Sequence, residues 1–375
     1  MNMNKKYDYL IVGAGLYGSV LAYELNKLGY RILVVDKRNH IGGNIYTKKS
    51  HGINVHEYGA HIFHTSDKKI WEYVNRFAKF NNFINSPLAN YKGKLFHLPF
   101  NLNTFEELWG ISDPEEVKIK IETQVKKENI KAIHNLEEQA LSLVGRDMYE
   151  TLIKGYTEKQ WGKNAAELPS FIIKRIPVRF YRDNNYFDDS YQGIPFGGYT
   201  SLIAMMLEGI KVVLNKDYLE NKIELDTLAN FVIYTGEIDR YFSYCYGPLE
   251  YRSLKFVKEH LNLKSFQNNA VVNYTEKEVP YTRIIEHKYF ENVDTPTTII
   301  TKEYPAIYDK FNEPYYPINN EENNIKYEKY ANEAKKWQNV FFGGRLGKYK
   351  YFDMDDTIAE ALTDLEIILS KKNHD

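Results

Sequence analysis

Tyr7-Asp8-Tyr9-Leu10-Ile11-Val12-Gly13-Ala14-Gly15-Leu16-Tyr17-Gly18 is the stretch whose reading decides the fold. An apolar, β-rich run, as a buried parallel strand has, leads directly into a G-x-G-x-x-G turn. Residues 19–28 continue with Val20, Leu21, Leu25 and Leu28 at helical spacing, and Gly29 ends that helix. A second strand over 31–35 closes on Asp36. Together these make a βαβ unit whose glycines permit a tight turn and close approach of backbone to a pyrophosphate. The helix N-terminus turns free N–H groups toward the phosphates. Asp36 stands where an acid accepts hydrogen bonds from a ribose diol, which favours a nucleotide without a 2′-phosphate. A ligand-free glycine turn would account for Gly13, Gly15 and Gly18 but not for Asp36.

Working outward, Lys and Arg (49) nearly balance Asp and Glu (50) in 375 residues, so global charge points to neither nucleic acid nor an anionic membrane. Cys245 is the lone cysteine, which excludes an intramolecular disulfide framework and a cysteine-based zinc site. The opening MNMNKKYDYLIVGAG has no signal-peptide layout, and no run approaches the ~18 apolar residues of a membrane span. The expectation is a soluble, cytoplasmic protein without membrane insertion. Tyrosine (32) outnumbers phenylalanine (20). Most of these rings suit core packing with a partnered hydroxyl, and a minority suit donation to a polyoxygenated ligand.

Lys37-Arg38-Asn39-His40-Ile41-Gly42-Gly43-Asn44 follows the second strand. A Gly-Gly pair shortly after the ribose acid resembles FAD proteins of the amine-oxidase type, which implies FAD rather than NAD. Gly13, Gly15, Leu16, Gly18, Asp36, Lys37, Gly43 and Asn44 are then the expected first part of the cofactor site. Tyr58-Gly59-Ala60-His61-Ile62-Phe63-His64-Thr65 narrows the resemblance further. Its histidines lack Cys or acidic partners at ligand spacing, so no metal is expected. The segment resembles the flavin-facing loop of UDP-galactopyranose mutases. Similar segments follow in that family's order: Phe100-Asn101-Leu102-Asn103-Thr104-Phe105, Gly155-Tyr156-Thr157-Glu158-Lys159-Gln160-Trp161-Gly162, Ile173-Lys174-Arg175-Ile176-Pro177-Val178-Arg179 and Tyr191-Gln192-Gly193-Ile194-Pro195. Tyr281-Thr282-Arg283-Ile284, Glu313-Pro314-Tyr315-Tyr316-Pro317, Gly343-Gly344-Arg345-Leu346 and Tyr351-Phe352-Asp353-Met354 complete the set. The resemblance spans residues 6–369.

The resemblance implies interconversion of UDP-galactopyranose and UDP-galactofuranose, active with reduced FAD, through an N5–sugar adduct that opens and recloses. Covalent work by a cofactor leaves the protein to bind, orient and stabilise charge, which explains why no Ser-His-Asp or Cys-His set is visible. It also implies supply of galactofuranose for surface polysaccharide, and a homodimer; UDP-N-acetylgalactosamine stays open as an additional substrate. Arg175 and Arg283 would hold the diphosphate, with Arg252 a third candidate; fork-shaped, permanently charged guanidinium suits that leaving group. From the residues alone, the KRIPVR stretch reads equally as a solvated basic strand, and Arg283 as an ordinary salt-bridge partner. Tyr156, Thr157, Tyr186, Tyr316 and Tyr351 would contact the nucleotide, and Asn85 the substrate. Trp161, in a polar stretch, reads as an exposed indole on a mobile loop or as a surface ring packed at a domain edge. His61, Ile62 and His64 would lie by the flavin, with Arg345, Asp353 and Met354 completing the cofactor site. Asp353 also reads as a cap for a C-terminal helix.

The organisation expected is α/β: a Rossmann-like FAD-binding domain (1–82, 195–247 and 318–375), an inserted small helical domain (104–160), and an antiparallel β-sheet substrate domain (83–103, 161–194 and 248–317). Two other classes compete with the mutase. An amine-oxidase-like FAD oxidoreductase explains the N-terminal region but not the Arg/Tyr constellation, and a non-catalytic nucleotide binder is told apart by whether the purified protein is yellow and its flavin reducible.

Overall fold

A computed structural model describes residues 5–173, 177–309 and 312–372. The opening run forms the strand Tyr7–Val12, the middle of a five-stranded parallel sheet. Its neighbours are Ile32–Val35 on one side and Ala229–Tyr234 on the other, with Lys211–Val213 and Val340–Phe342 at the edges. The register places Leu10 between Leu33 and Val232. Alternation along the central strand divides the core. Tyr9 and Ile11 pack with Val20, Leu21 and Leu25 of the helix Leu16–Lys27, while Leu10 packs with Leu33, Val35 and Tyr218 on the other face. Each such buried side chain contributes roughly 1.5–3 kcal/mol by leaving water. The helices Tyr199–Met206 and Met354–Lys372 cover the first face, which brings the C-terminal helix against the first helix.

A seven-stranded sheet runs Tyr316–Pro317, Tyr251–Leu261, Thr298–Ile307, Arg283–Glu286, Val271–Tyr274, Leu88–Tyr91, Lys94–His97. All its pairings are antiparallel except Leu88–Tyr91 with Val271–Tyr274. The alternating runs near 271 and 298 are strands of this sheet, as read from their period-2 pattern. The charged helical stretch folds as Leu102–Trp109, Pro114–Glu128 and Leu136–Val144 around Phe105, Val117 and Leu141. Asn101, Asp113 and Asn135 cap these helices by accepting backbone N–H bonds. A π-helical turn, Tyr149–Ile153, then leads into the helix Lys154–Trp161.

Candidate active site

The glycines of the first turn are required by contact as well as conformation. Gly13 has φ +113°, and a Cβ there would stand 2.2 Å from Thr235 Oγ1. A Cβ on Gly18 would stand 2.1 Å from the Gly13 carbonyl oxygen. Gly15 pairs with Gly42, and a Cβ on Gly43 would lie 3.0 Å from Gly15 Cα, so two backbone runs lie side by side. Asp36 is fixed at the end of its strand by accepting from the Ala14 N–H at 2.7 Å and the Arg38 N–H at 2.8 Å. Gly13, Gly15, Asp36, Lys37, Gly43 and Asn44 all line one cavity of about 170 Å³. Beside it, Glu313 takes Lys37 at 3.2 Å and Arg38 at 3.0 Å. Burial would raise that carboxyl, but Arg38 and then Lys37 outweigh it and hold it below its ordinary range. Glu313 thereby offsets part of the positive charge next to Asp36, which favours a diol over a second phosphate.

An adjoining cavity of about 650 Å³ shares Gly15 and Asn44 with the first. Leu16, Gly18, His61, Ile62 and His64 line it from the nucleotide side, and Arg345, Tyr351, Asp353 and Met354 from the C-terminal side. The sheet contributes one lateral row. Asn273 faces Arg283 and Arg283 faces Glu303 across neighbouring strands, and directly opposed residues project to the same face. All three line the cavity. The Arg283 NH2 group donates to Tyr156 Oη at 2.9 Å, and its Nε lies 3.7 Å from Glu303. That Nε is buried and has no hydrogen-bond partner among the described residues. Burial opposes the Arg283 charge, but Glu303 and the nearby phenols hold it firmly protonated.

Tyr316 stacks on Tyr351 at 5.9 Å, and the Arg345 guanidinium sits 4.5 Å over the Tyr351 ring while donating to the Tyr315 carbonyl at 2.7 Å. The Tyr351 hydroxyl donates to Asp353 at 3.0 Å; burial and then Asp353 push it up to about 12, so it stays a phenol at neutral pH. Asp353 is the residue before the helix Met354–Lys372, and its carbonyl accepts the Thr357 N–H at 2.9 Å. Its carboxylate faces Tyr351, not the helix end. Asn85 and Tyr186 close the rim, with the Tyr186 N–H donating to the Asn85 carbonyl at 2.8 Å.

The two histidines of the flavin-facing loop differ. His61 donates from Nδ1 to the Gly59 carbonyl at 2.9 Å. Burial, with Arg345 and Arg283 nearby, brings its pKa down to about 4 despite that bond, so the ring is neutral at pH 7. Behind it the His61 N–H donates to His56 Nδ1 at 3.3 Å, and the His56 N–H to His287 Nδ1 at 3.2 Å. Burial holds both of these rings neutral as well. His64 instead meets an acid, Asp189, at 2.7 Å.

Four expected contact residues do not line the cavity: Tyr156, which reaches it through Arg283, and three that lie elsewhere. The Arg252 guanidinium does not line the cavity; it binds the Gln160 carbonyl at 3.1 and 2.9 Å, at the C-terminal end of Lys154–Trp161. Thr157 is buried away from the cavity lining. Trp161 is the last residue of that helix, ended by Gly162 in the left-handed region, and its half-buried ring packs on the helical cluster. The exposed-loop reading of Trp161 is therefore corrected: the polar residues around it are the solvent side of a helical turn. Arg175 lies outside the described residues. Sequence reading passed over Glu303, Asn273, Asp189 and Glu313. Glu303 and Asn273 carried one weak signal, a polar residue interrupting an apolar strand, while Asp189 and Glu313 sit in turns rich in polar residues.

A parallel nucleotide sheet, a glycine cleft, and a second cavity with a buried arginine on its wall define a Rossmann-class protein that works on a ligand beside a bound nucleotide cofactor. The comparisons with known proteins narrow this. A family model described as NAD(P)-binding Rossmann-like domain matches residues 11–77, and one described as UDP-galactopyranose mutase matches residues 151–351. A probable UDP-galactopyranose mutase of Klebsiella pneumoniae is 41% identical over 374 residues, 98% of this chain and 96% of that protein. A dTDP-fucopyranose mutase of Escherichia coli is 37% identical over 369 residues, 96% and 97% of the two chains. The crystal structure of a reduced UDP-galactopyranose mutase superposes with a TM-score of 0.74 at 15% identity, covering 97% of this chain and 96% of that one, a likeness of fold. The chain belongs to the UDP-galactopyranose mutase family, whose members are isomerases.

Proposed function

We propose that this chain interconverts UDP-galactopyranose and UDP-galactofuranose, with FAD across the glycine cleft and the UDP-sugar in the larger cavity. The observation that carries the reading is Arg283, a buried cation held by Glu303 and Tyr156 on the wall of a cavity contiguous with the dinucleotide cleft. FAD fits on two counts. The Gly13 and Gly18 positions admit no Cβ, which builds the tight turn and close helix–strand contact of a dinucleotide fold, and Asp36 is held for a ribose diol. Residues 13–18, 36–37 and 43–44 would hold the nucleotide end, and His61, Ile62, Arg345, Asp353 and Met354 the flavin end.

When bound and reduced, the flavin supplies the nucleophile that takes the anomeric carbon from UDP. The chain's own groups bind and balance charge. Arg283 meets the negative charge that grows on the leaving diphosphate; a well-placed donor of this kind contributes roughly 3–4 kcal/mol to a transition state. We assign Arg175 to the same diphosphate. Glu303, itself buried, keeps Arg283 charged and aimed. Tyr186, Tyr316 and Tyr351 present phenols for uracil stacking and phosphate contacts, with Tyr156 held ready on Arg283. Arg252 and the turn carrying Thr157 and Trp161 act from outside the cavity by holding the helix that bears Tyr156. The product would serve galactofuranosyl transfer into a surface polysaccharide.

The test is anaerobic incubation with UDP-galactofuranose, with and without dithionite, separating the nucleotide sugars by chromatography. UDP-galactopyranose should form only in the reduced sample. No conversion by a yellow, reducible protein would sink the assignment; conversion of dTDP-fucofuranose in preference would move it to the other mutase in the family.

A further inference from the structure

His64 and Asp189 form a built pair whose placement calls for a task. His64 lies in the short strand Phe63–Thr65, opposite Gln192 of Tyr191–Gly193. Its ring stacks on Phe187 at 3.7 Å with 15° between the planes, and both residues line the larger cavity. Asp189 Oδ2 stands 2.7 Å from His64 Nδ1, and its Oδ1 accepts from the Ser66 hydroxyl at 2.6 Å. The turn that carries Phe187 and Asp189 is itself fixed from below. Arg179, almost fully buried, pairs with Asp183 at 3.2 Å and with Asp188. Asn185 Oδ1 accepts from the Phe187 N–H at 3.3 Å and from Gln192 Nε2 at 2.8 Å. Burial would raise the Asp189 carboxyl, but the Ser66 and His64 hydrogen bonds hold it below its ordinary range. A carboxylate only accepts, so the His64 proton sits on Nδ1. The other ring nitrogen, Nε2, has no hydrogen-bond partner among the described residues, and His64 lines the cavity.

We propose that Asp189 is a positioning residue that holds His64 with Nε2 as the proton acceptor of the cavity, and that His64 takes the proton released by the sugar hydroxyl that recloses the ring. The inference rests on the mutase reading. Its chemistry follows from the two rings. A galactopyranose closes through O5 and a galactofuranose through O4, so conversion of the first to the second removes a proton from O4 and delivers one to O5. Opening breaks the bond from the anomeric carbon to O5, which takes a proton from solvent; reclosure forms the bond to O4, and His64 Nε2 takes the proton that O4 loses and returns it to solvent. The sum is proton-neutral and needs no oxidant or co-reactant. His61 does not suit the task, because its position between Arg283 and Arg345 disfavours a second positive charge. His64 has an anion behind it and stabilises the imidazolium that forms.

The experiment is steady-state turnover of UDP-galactofuranose by the reduced holoenzyme for the wild type, Asp189→Ala, Asp189→Asn, His64→Gln and the Asp189→Ala/His64→Gln pair. Flavin absorbance and thermal melting confirm that each variant is folded. His64→Gln should lower kcat by roughly 10²-fold or more, and Asp189→Ala by at least about tenfold, with KM little changed. The double variant should be no slower than His64→Gln alone. In ¹⁵N-histidine-labelled wild type, His64 should show a protonated Nδ1 and an unprotonated Nε2 at neutral pH. Losses that multiply independently, wild-type kcat in Asp189→Asn and Asp189→Ala, or a proton on Nε2 of the neutral ring would each overturn the proposal. A wild type with no isomerase activity would instead remove the mutase reading itself.

Discussion

Arg283 concentrates the residue-scale argument. Its charge is kept by Glu303 and its NH2 is held by Tyr156, on the wall of the larger cavity. Replacing it by alanine should cut kcat/KM by roughly 10²–10³-fold while leaving the yellow colour intact, since the cofactor cleft is untouched. Arg283→Lys should recover little of the loss, because a point charge replaces a fork. Near wild-type kcat/KM in either variant would remove Arg283 from the reacting site. What the sequence showed at this scale was uneven for a physical reason. Gly13, Gly18 and Asp36 act within one local unit, so their spacing is legible. Glu303 and Asp189 meet their partners only through strand register and a distant turn, 20 and 125 positions away by chain, and no local pattern records that.

At the scale of elements, the helix Lys154–Trp161 is the least expected piece. The sequence places it at the end of the inserted helical domain expected over 104–160, yet its last turn is pinned to the seven-stranded sheet. Glu158 pairs with Lys277 at 3.0 Å, and Arg252 holds the Gln160 carbonyl, where a cation favours a helix C-terminus. Gly155 admits the close approach, since a Cβ there would lie 2.2 Å from the Thr275 carbonyl oxygen. Lys159 donates to the Tyr274 and Tyr281 carbonyls at 2.7 and 2.9 Å, and burial brings its pKa down to about 8. An unfolded lysine titrates near ~10.4. Between these values the unfolded chain binds more protons, so this group makes stability rise with pH from about 8 to about 10. Thermal melts at pH 7 and pH 9.5 should therefore show the wild type gaining relative to Lys159→Met. An identical pH response in both proteins would contradict the assignment. Sequence reading found the strands, helices and caps because period and cap chemistry are local; it missed this docking because the carbonyls that receive Lys159 carry no side-chain signature.

Across the whole molecule, Glu313 joins the nucleotide cleft to the sheet that carries the site. It takes Lys37 and Arg38 beyond Asp36, while its own carbonyl accepts from Ser253 at 2.7 Å and the adjoining Tyr315 N–H bonds the Arg252 carbonyl at 3.1 Å. Tyr316 follows directly in that segment. Glu313→Gln should lower stability by roughly 1–3 kcal/mol and raise KM for the nucleotide sugar, because Arg38 is left uncompensated beside the cleft. The folded-state pKa of Glu313 is depressed, so its stabilisation is present above about pH 4–5 and is lost as pH falls through the folded value. A variant with wild-type melting and KM at pH 7 would show that the two parts do not communicate through this pair. Chain-long likeness to known mutases was legible from motif order, whereas this link needed both sheets in place.

The central claim is that the chain isomerises a nucleotide sugar with no net oxidation, and one experiment addresses it directly. Protein reduced with one equivalent of dithionite per flavin is sealed from oxygen, mixed with a large excess of UDP-galactofuranose, and followed by flavin absorbance and chromatography together. The account predicts many turnovers per flavin, with the same ratio of the two UDP-galactoses reached from either side while the flavin stays reduced. Reoxidation of flavin in step with sugar consumed, at one turnover per electron pair, would contradict it and identify an oxidoreductase.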